Sequence, residues 1–233
     1  MWDTATNPAF LSLLQLCDSN LPTGAFSHSF GLETYIQDEA VHDKNTFARW
    51  LQVFLCEQLV YTDGLGSRLT YEALEAEDWE AVWQLDRLIT VQNMARETRE
   101  GTIRMGERML QLGRDLYPSA VLDAYHERIK GKKSFGHPAL VFAMIAQRLR
   151  VPLPTALLAY LYSTTATLIQ NGVRGIPLGQ TEGQRLVLEL QAPLGQAVET
   201  ILRLERDDFG VVSPGLEISQ MRHEKLNIRL FMS

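Results

Sequence analysis

Cysteine is scarce: Cys17 and Cys56 are the only two among 233 residues. They are too few for a disulfide framework and too far apart for the Cys-x-x-Cys spacing of a zinc or redox motif. A reduced, cytoplasmic setting is the expectation. Positive charge is also in short supply. Lys and Arg number 22 against 28 Asp and Glu, a formal net charge of -6, which leaves no broad electropositive face to neutralise phosphates. Nucleic acid is therefore not expected as a partner. Nor is a membrane, because no run of about 18 apolar residues occurs and Met1-Trp2-Asp3-Thr4 lacks the basic start and apolar stretch of an export signal.

The motifs of common enzymes are missing as well. Gly131-Lys132-Lys133-Ser134 comes nearest to a phosphate loop, but position 126 is His126 where the first glycine belongs, and position 133 is Lys133 where Ser or Thr belongs. His223-Glu224 opens a zincin motif that Asn227 fails to close. Ser29 is followed by Gly31 but preceded by Ser27 at the other glycine position of a nucleophile elbow, which would also need a strand. The chain is not expected to be an enzyme.

What is present is helix. With 45% hydrophobic residues the chain can build one buried core, and a single domain is the default. Phe47, Trp50, Leu51, Phe54, Leu55 and Leu59 fall on one helical face. Trp79, Val82, Trp83, Leu88 and Ile89 repeat the pattern after the acidic stretch Glu75 to Asp78, which suits a helix N-terminus. Gly101 and Gly106 interrupt a helix from Arg96 to Leu112, and each costs roughly 1 kcal/mol there relative to alanine, so close backbone packing is expected. Pro138 suits the first turn of a helix carrying Leu140, Val141, Met144, Ile145 and Leu149. Thr155 is expected to cap the next helix, which should stop at Asn171-Gly172. Leu186 to Leu190 could be a strand but has no partner, and is read as helix. The prediction is an all-α single globular domain of about seven to ten helices over residues 1–211. Residues 212–233, with Pro214, Gly215 and no apolar stripe, are expected to be an interaction tail that takes order from a partner.

Three segments carry polar and special residues without an enzyme's geometry. In Asp18 to Glu33, Pro22 and Gly24 force a turn. One phenylalanine of this segment either anchors the loop to the core, with Ser27 or Ser29 capping the helix near Leu32, or serves as an exposed recognition anchor. In Asn171 to Gln184, four glycines and a proline make a demanding helix-to-helix connection. In Met221 to Ser233, Leu230, Phe231 and Met232 stand together at the end of the sequence and need either the core or a partner to cover them.

Together these segments resemble the signature blocks of the F-type urease accessory proteins. The first block resembles Asp-Ser-x-x-Pro-x-Gly-x-aromatic-x-His-Ser-x-Gly-Leu-Glu and is met from Asp18 to Glu33. The second, Pro-Leu-Gly-Gln-x-x-Gly-Gln, is met from Pro177 to Gln184. The third, Met-x-His-Glu-x-Leu-x-Ser-Arg-Leu-aromatic-x-Ser, is met from Met221 to Ser233 except that Ile228 stands where the family usually has Ser. The resemblance implies an all-α homodimer and no catalytic residue. It also implies a complex with the D-type accessory protein (H-type in some systems) that recruits the nickel-carrying G-type GTPase and docks on apo-urease. Carried onto this sequence, partner binding is expected at Phe26, His28, Ser29, Glu33, His223, Glu224, Arg229, Leu230, Phe231 and Ser233. Self-association is expected at Leu158 and Tyr162. A structural loop role falls to Pro22, Gly24, Gly31, Pro177, Gly179, Gln180, Gly183 and Gln184. No cofactor or metal is expected to bind tightly, since nickel favours imidazole, carboxylate and thiolate ligands and no such cluster is visible; the complex would handle nickel transiently. The alternatives are a chaperone that grips nickel itself, a hydrolase using Ser29 and His28, and a GTPase-activating protein using Arg229.

Overall fold

The structure, a computed structural model, describes residues 7–233. The reading of Met1 to Thr4 lies outside the described residues. Every regular element among the described residues is helical, as the periodicities predict. α1 (Pro8–Leu16) leads through a loop and a 3-10 turn (Ala25–Ser27) into the short α2 (Leu32–Gln37). α3 (Lys44–Val53), a wide π-helical stretch (Phe54–Gly64) and α4 (Leu65–Glu75) follow without a break. Then come α5 (Trp79–Val91), α6 (Arg96–Leu116), α7 (Ala120–Lys130), α8 (Pro138–Arg148), α9 (Leu153–Gly175), α10 (Gln180–Glu189), α11 (Gln191–Arg203) and α12 (Pro214–His223).

The helix starts have local causes. Asp43 and Thr46 form a capping box at α3, and the Asp78 carboxylate accepts the Ala81 N–H at 3.0 Å to open α5. Pro138 occupies the first turn of α8, whose residues from Pro138 to Ala146 are all buried. A helix apolar on every side belongs at the centre of a fold, and α4, α6, α7 and α9 pack around it. The expected close approach at Gly106 is there: a Cβ would lie 2.5 Å from the Gly136 carbonyl oxygen. At Gly101 the neighbour is instead the ring of His28.

Two expectations about α9 need correction. It begins at Leu153, before Thr155, with Pro152 at the cap and Pro154 in the first turn, so proline geometry rather than a threonine hydroxyl starts it. It also runs on to Gly175. Asn171 does not terminate the helix but sends its amide to the His28 carbonyl, and Gly172 makes room for the Phe47 ring.

The segment 212–233 is seated on the body, packing α12 against α2 and α6. Its inward face is mostly polar, with Leu216, Ser219, Gln220 and His223 buried. That composition is why no apolar stripe marks it in the sequence.

Candidate functional site

The first and last signature segments meet. Gly24 (φ 85°) and Gly31 (φ 88°) take the left-handed backbone the loop requires, and Phe30 joins them at φ 52°. Phe30 is the aromatic that anchors the loop, its ring 6.0 Å from that of Phe54. Phe26, on the 3-10 turn, is 58% exposed. Gly31 holds the N-cap position of α2 and has no side chain to offer, but the Ser29 hydroxyl accepts the first-turn N–H of Glu33 at 3.4 Å. The tail then lies along the loop. Met232 N–H donates to the Ser27 carbonyl at 2.7 Å, and Ser29 N–H donates to the Ser233 carbonyl at 2.5 Å. His28 Nδ1 and the Ser233 hydroxyl share a hydrogen bond of 2.7 Å.

Beneath this seam is an ionic cluster. Glu33, at the start of α2, accepts the Leu230 N–H at 2.5 Å and the Phe231 N–H at 3.2 Å, and its Oε2 lies 2.9 Å from Nε2 of His223. On the other side of the ring, His223 Nδ1 lies 2.8 Å from Glu97 Oε2, while Glu97 Oε1 accepts from Arg229 at 2.7 Å. Burial pushes the Glu97 carboxyl up, but the bonds from His223 and Arg229 outweigh it and hold the group below its ordinary value. Burial first, then the charges of Arg104 and His223, push the His28 imidazole down to about 4. Arg174 closes the edge, its guanidinium 5.2 Å from the Phe231 ring centre and bonded to the Phe26 carbonyl at 3.3 Å.

This geometry sorts the residues expected to meet partners. His28, Ser29, Glu33, His223, Phe231 and Ser233 are buried within the chain, where they join loop to tail and present no side chain outward. Phe26, Leu230 and Arg229 are exposed and Glu224 partly so, the last paired with Arg96 at 3.0 Å. Ser29 and His28 do not form a nucleophile pair: the imidazole is engaged by Ser233 and the serine hydroxyl by the Glu33 amide. Leu158 and Tyr162 stand 42% and 41% exposed, one turn apart on α9. In the middle segment Pro177, Gly179, Gln180 and Gln184 lie at the surface. Gly179 caps α10 with its N–H on Glu182 at 3.1 Å, and Gly183 lets α10 approach Val173 of α9. Pro22 presents its carbonyl to Arg108 at 3.2 Å.

Sequence reasoning missed Glu97, Asn171 and Arg174. Glu97 reads as an ordinary first-turn acid, and nothing local connects it to His223, 126 positions away. Under the loop lies a cavity of about 160 Å³ whose lining includes Gln58, Asp63, Thr98, His137 and Tyr160. Tyr160 donates to Asp63 at 2.7 Å. The cavity is roomy and polar enough for several waters. Among the described residues no group of three or more His, Cys, Asp or Glu is placed to hold a metal ion. Cys17 is pushed up to about 12 by burial, so it remains a thiol.

The UreF family model matches residues 41–191. The urease accessory protein UreF of Lachnoclostridium phytofermentans is 55% identical over 223 residues, covering 96% of this chain and 98% of the relative. The urease accessory protein UreF of Bacillus sp. (strain TB-90) is 54% identical over the same length and coverage.

Proposed function

The chain belongs to the UreF family of urease accessory proteins, and we propose on that premise that it acts in urease maturation as a non-enzymatic scaffold. It binds the D-type or H-type accessory protein, recruits the nickel-carrying G-type GTPase and docks the assembly on apo-urease. The observation that carries this reading is the join between loop and tail. Phe26, Leu230 and Met232 are 58%, 61% and 56% exposed on two segments tied together by backbone hydrogen bonds. Exposed apolar groups gathered on a fixed frame suit a docking surface. Arg229, held by Glu97, adds a fixed guanidinium at its edge, a better fit to interface recognition than to a mobile catalytic finger.

Nickel is cargo here. Burial keeps Cys17 a thiol rather than the thiolate that ligates metals, and both nitrogens of the His223 ring are occupied by carboxylate partners, which suits a chain that lets nickel pass through the complex. A second copy docks through Leu158 and Tyr162, and the assembly works in the cytoplasm. The test is urease made in cells with and without this chain, scored by nickel per active site and by activity. Nickel-poor urease that wild type restores is the expected result. Fully loaded urease in its absence refutes the reading.

A further inference from the structure

We propose that the loop between α7 and α8 is a second protein-docking site, where Lys130, Lys132, Lys133 and Phe135 take a partner segment that carries several carboxylates and an apolar residue. It is separate from the seam of loop and tail, and it does not rest on the function assigned there.

The argument begins with charge. The chain holds five lysines, and three of them stand at positions 130, 132 and 133. All three are exposed. Lys44, by contrast, pairs with Glu189, whereas among the described residues none of the loop lysines has an acidic side chain at ion-pair distance. Their neighbour Arg128 is engaged within the chain, its guanidinium 4.9 Å from the Trp83 ring centre and bonded to the Ser134 hydroxyl at 3.3 Å. Like charges gathered in this way repel one another, and an anionic partner relieves that repulsion.

The loop is also fixed. At the end of α7 the Lys132 N–H donates to the Ile129 carbonyl at 2.9 Å and the Lys133 N–H to the Arg128 carbonyl at 2.8 Å. The left-handed position of this turn falls on Lys132 (φ 57°), a lysine where glycine would sit without strain. Further on, the buried Asp86 accepts the amides of Phe135 and Gly136 at 2.7 and 3.1 Å, and Ser134 between the two anchors is buried. Phe135 is left 39% exposed beside the lysines. A frame ordered before binding loses less entropy when a partner arrives.

The same bonds decide the kind of anion. A phosphate loop turns its backbone N–H groups toward the ligand. Here the amides of Gly131, Lys132, Lys133, Phe135 and Gly136 all have acceptors within the chain, so no cradle for one phosphate remains. Nucleic acid follows a longer positive track, and anionic membranes recruit clusters of about 4–8 Lys or Arg. This patch is shorter than either. The exposed Glu127 of α7 precedes it, and Glu107 of α6 lies beside Gly136, where both would repel a continuous polyanion. A polypeptide can place separate carboxylates on the lysines, lay an apolar side chain on Phe135 and clear the two glutamates.

The experiment is nuclear magnetic resonance on the full isotope-labelled chain, titrated with the synthetic peptide Asp-Glu-Leu-Asp-Glu-Asp capped at both ends. The expected result is a set of amide shifts centred on residues 130–136, with binding that fades as salt rises. The paired change Lys132→Glu and Lys133→Glu should weaken binding at least roughly tenfold, and Phe135→Ala at least roughly threefold, with circular dichroism unchanged in both because these side chains lie at the surface. A peptide with Asn and Gln in place of its acids should leave the loop signals unmoved. Inorganic phosphate, a single-stranded DNA oligomer and phosphatidylserine vesicles are titrated in parallel and should each bind more weakly than the acidic peptide. Loop signals that ignore the acidic peptide, a folded charge-reversed variant that binds as wild type does, or affinity unmoved by Phe135→Ala overturns the proposal. Tighter binding of phosphate, DNA or vesicles overturns it as well, by assigning the lysines to that ligand instead.

Discussion

Glu33→Ala should release the tail without unfolding the domain. The carboxylate accepts the amides of Leu230 and Phe231, lies against the His223 ring, and is 4% exposed. Hydrogen bonds to a charged group are worth about 1.5–3 kcal/mol each, and removing one member of a buried ion pair costs about 3–5 kcal/mol. These overlap, so about 3–5 kcal/mol of tail attachment is the working figure. At 1.4 kcal/mol per decade this is a fall of roughly 100-fold or more in protection of the Leu230 and Phe231 amides. The loss in global stability should be smaller, because once the tail is free its contacts no longer count toward unfolding. Amide exchange reads the first quantity and urea unfolding the second, with circular dichroism to confirm retained helix. Unchanged tail protection in a folded Glu33→Ala variant would refute the role assigned to this carboxylate.

Asp86→Ala should cost about 3–5 kcal/mol in urea unfolding, because the fully buried carboxylate accepts the Tyr125 hydroxyl at 2.5 Å and the amides of Phe135 and Gly136 at 2.7 and 3.1 Å; a loss under 1 kcal/mol would mean that the loop before α8 has another anchor. Tyr162→Asp should cost several kcal/mol of self-association by placing an unpaired charge in the interface, and a variant still dimeric at micromolar concentration in sedimentation removes Leu158 and Tyr162 from that interface. His28 has a folded value of about 4 against an ordinary 6.5, so its contribution is complete above about pH 6.5 and fades as pH falls toward 4. At about 1.4 kcal/mol per pH unit the loss is capped near 3 kcal/mol, less after solvent screening. Urea unfolding between pH 4 and 7 should show this slope in wild type and a flatter one in His28→Gln.

Helices whose buried face is apolar were legible in the sequence. α3, α5 and α8 carry large apolar residues at steps of three and four, and Asp78 and Pro138 mark starts that the structure keeps. α12 was not legible, because it buries Ser219, Gln220 and His223 and satisfies them with hydrogen bonds instead of apolar contacts: the Ser219 hydroxyl donates to the Leu216 carbonyl at 2.7 Å, the Gln220 amide reaches the Phe30 carbonyl at 3.4 Å, and His223 lies between two carboxylates. Such a face has no periodic signature. The α9 terminus was misread for a related reason: Asn171 and Gly172 look like a helix stop, yet one serves the loop and the other makes space for Phe47. Motif order brought the loop and tail together as a candidate site. It did not distinguish residues that build the seam from those facing out, since burial depends on contacts such as Glu97 to His223 that cross more than a hundred positions.

The central claim is that the exposed side chains on this seam recruit the GTPase. The direct measurement is capture of the G-type GTPase by the preformed complex with the D-type partner, comparing wild type with Phe26→Ala and Arg229→Ala. Interface hot spots contribute about 2 kcal/mol or more, so each variant should bind at least roughly thirtyfold more weakly with helicity and self-association intact. Capture by both variants at wild-type strength would contradict the account.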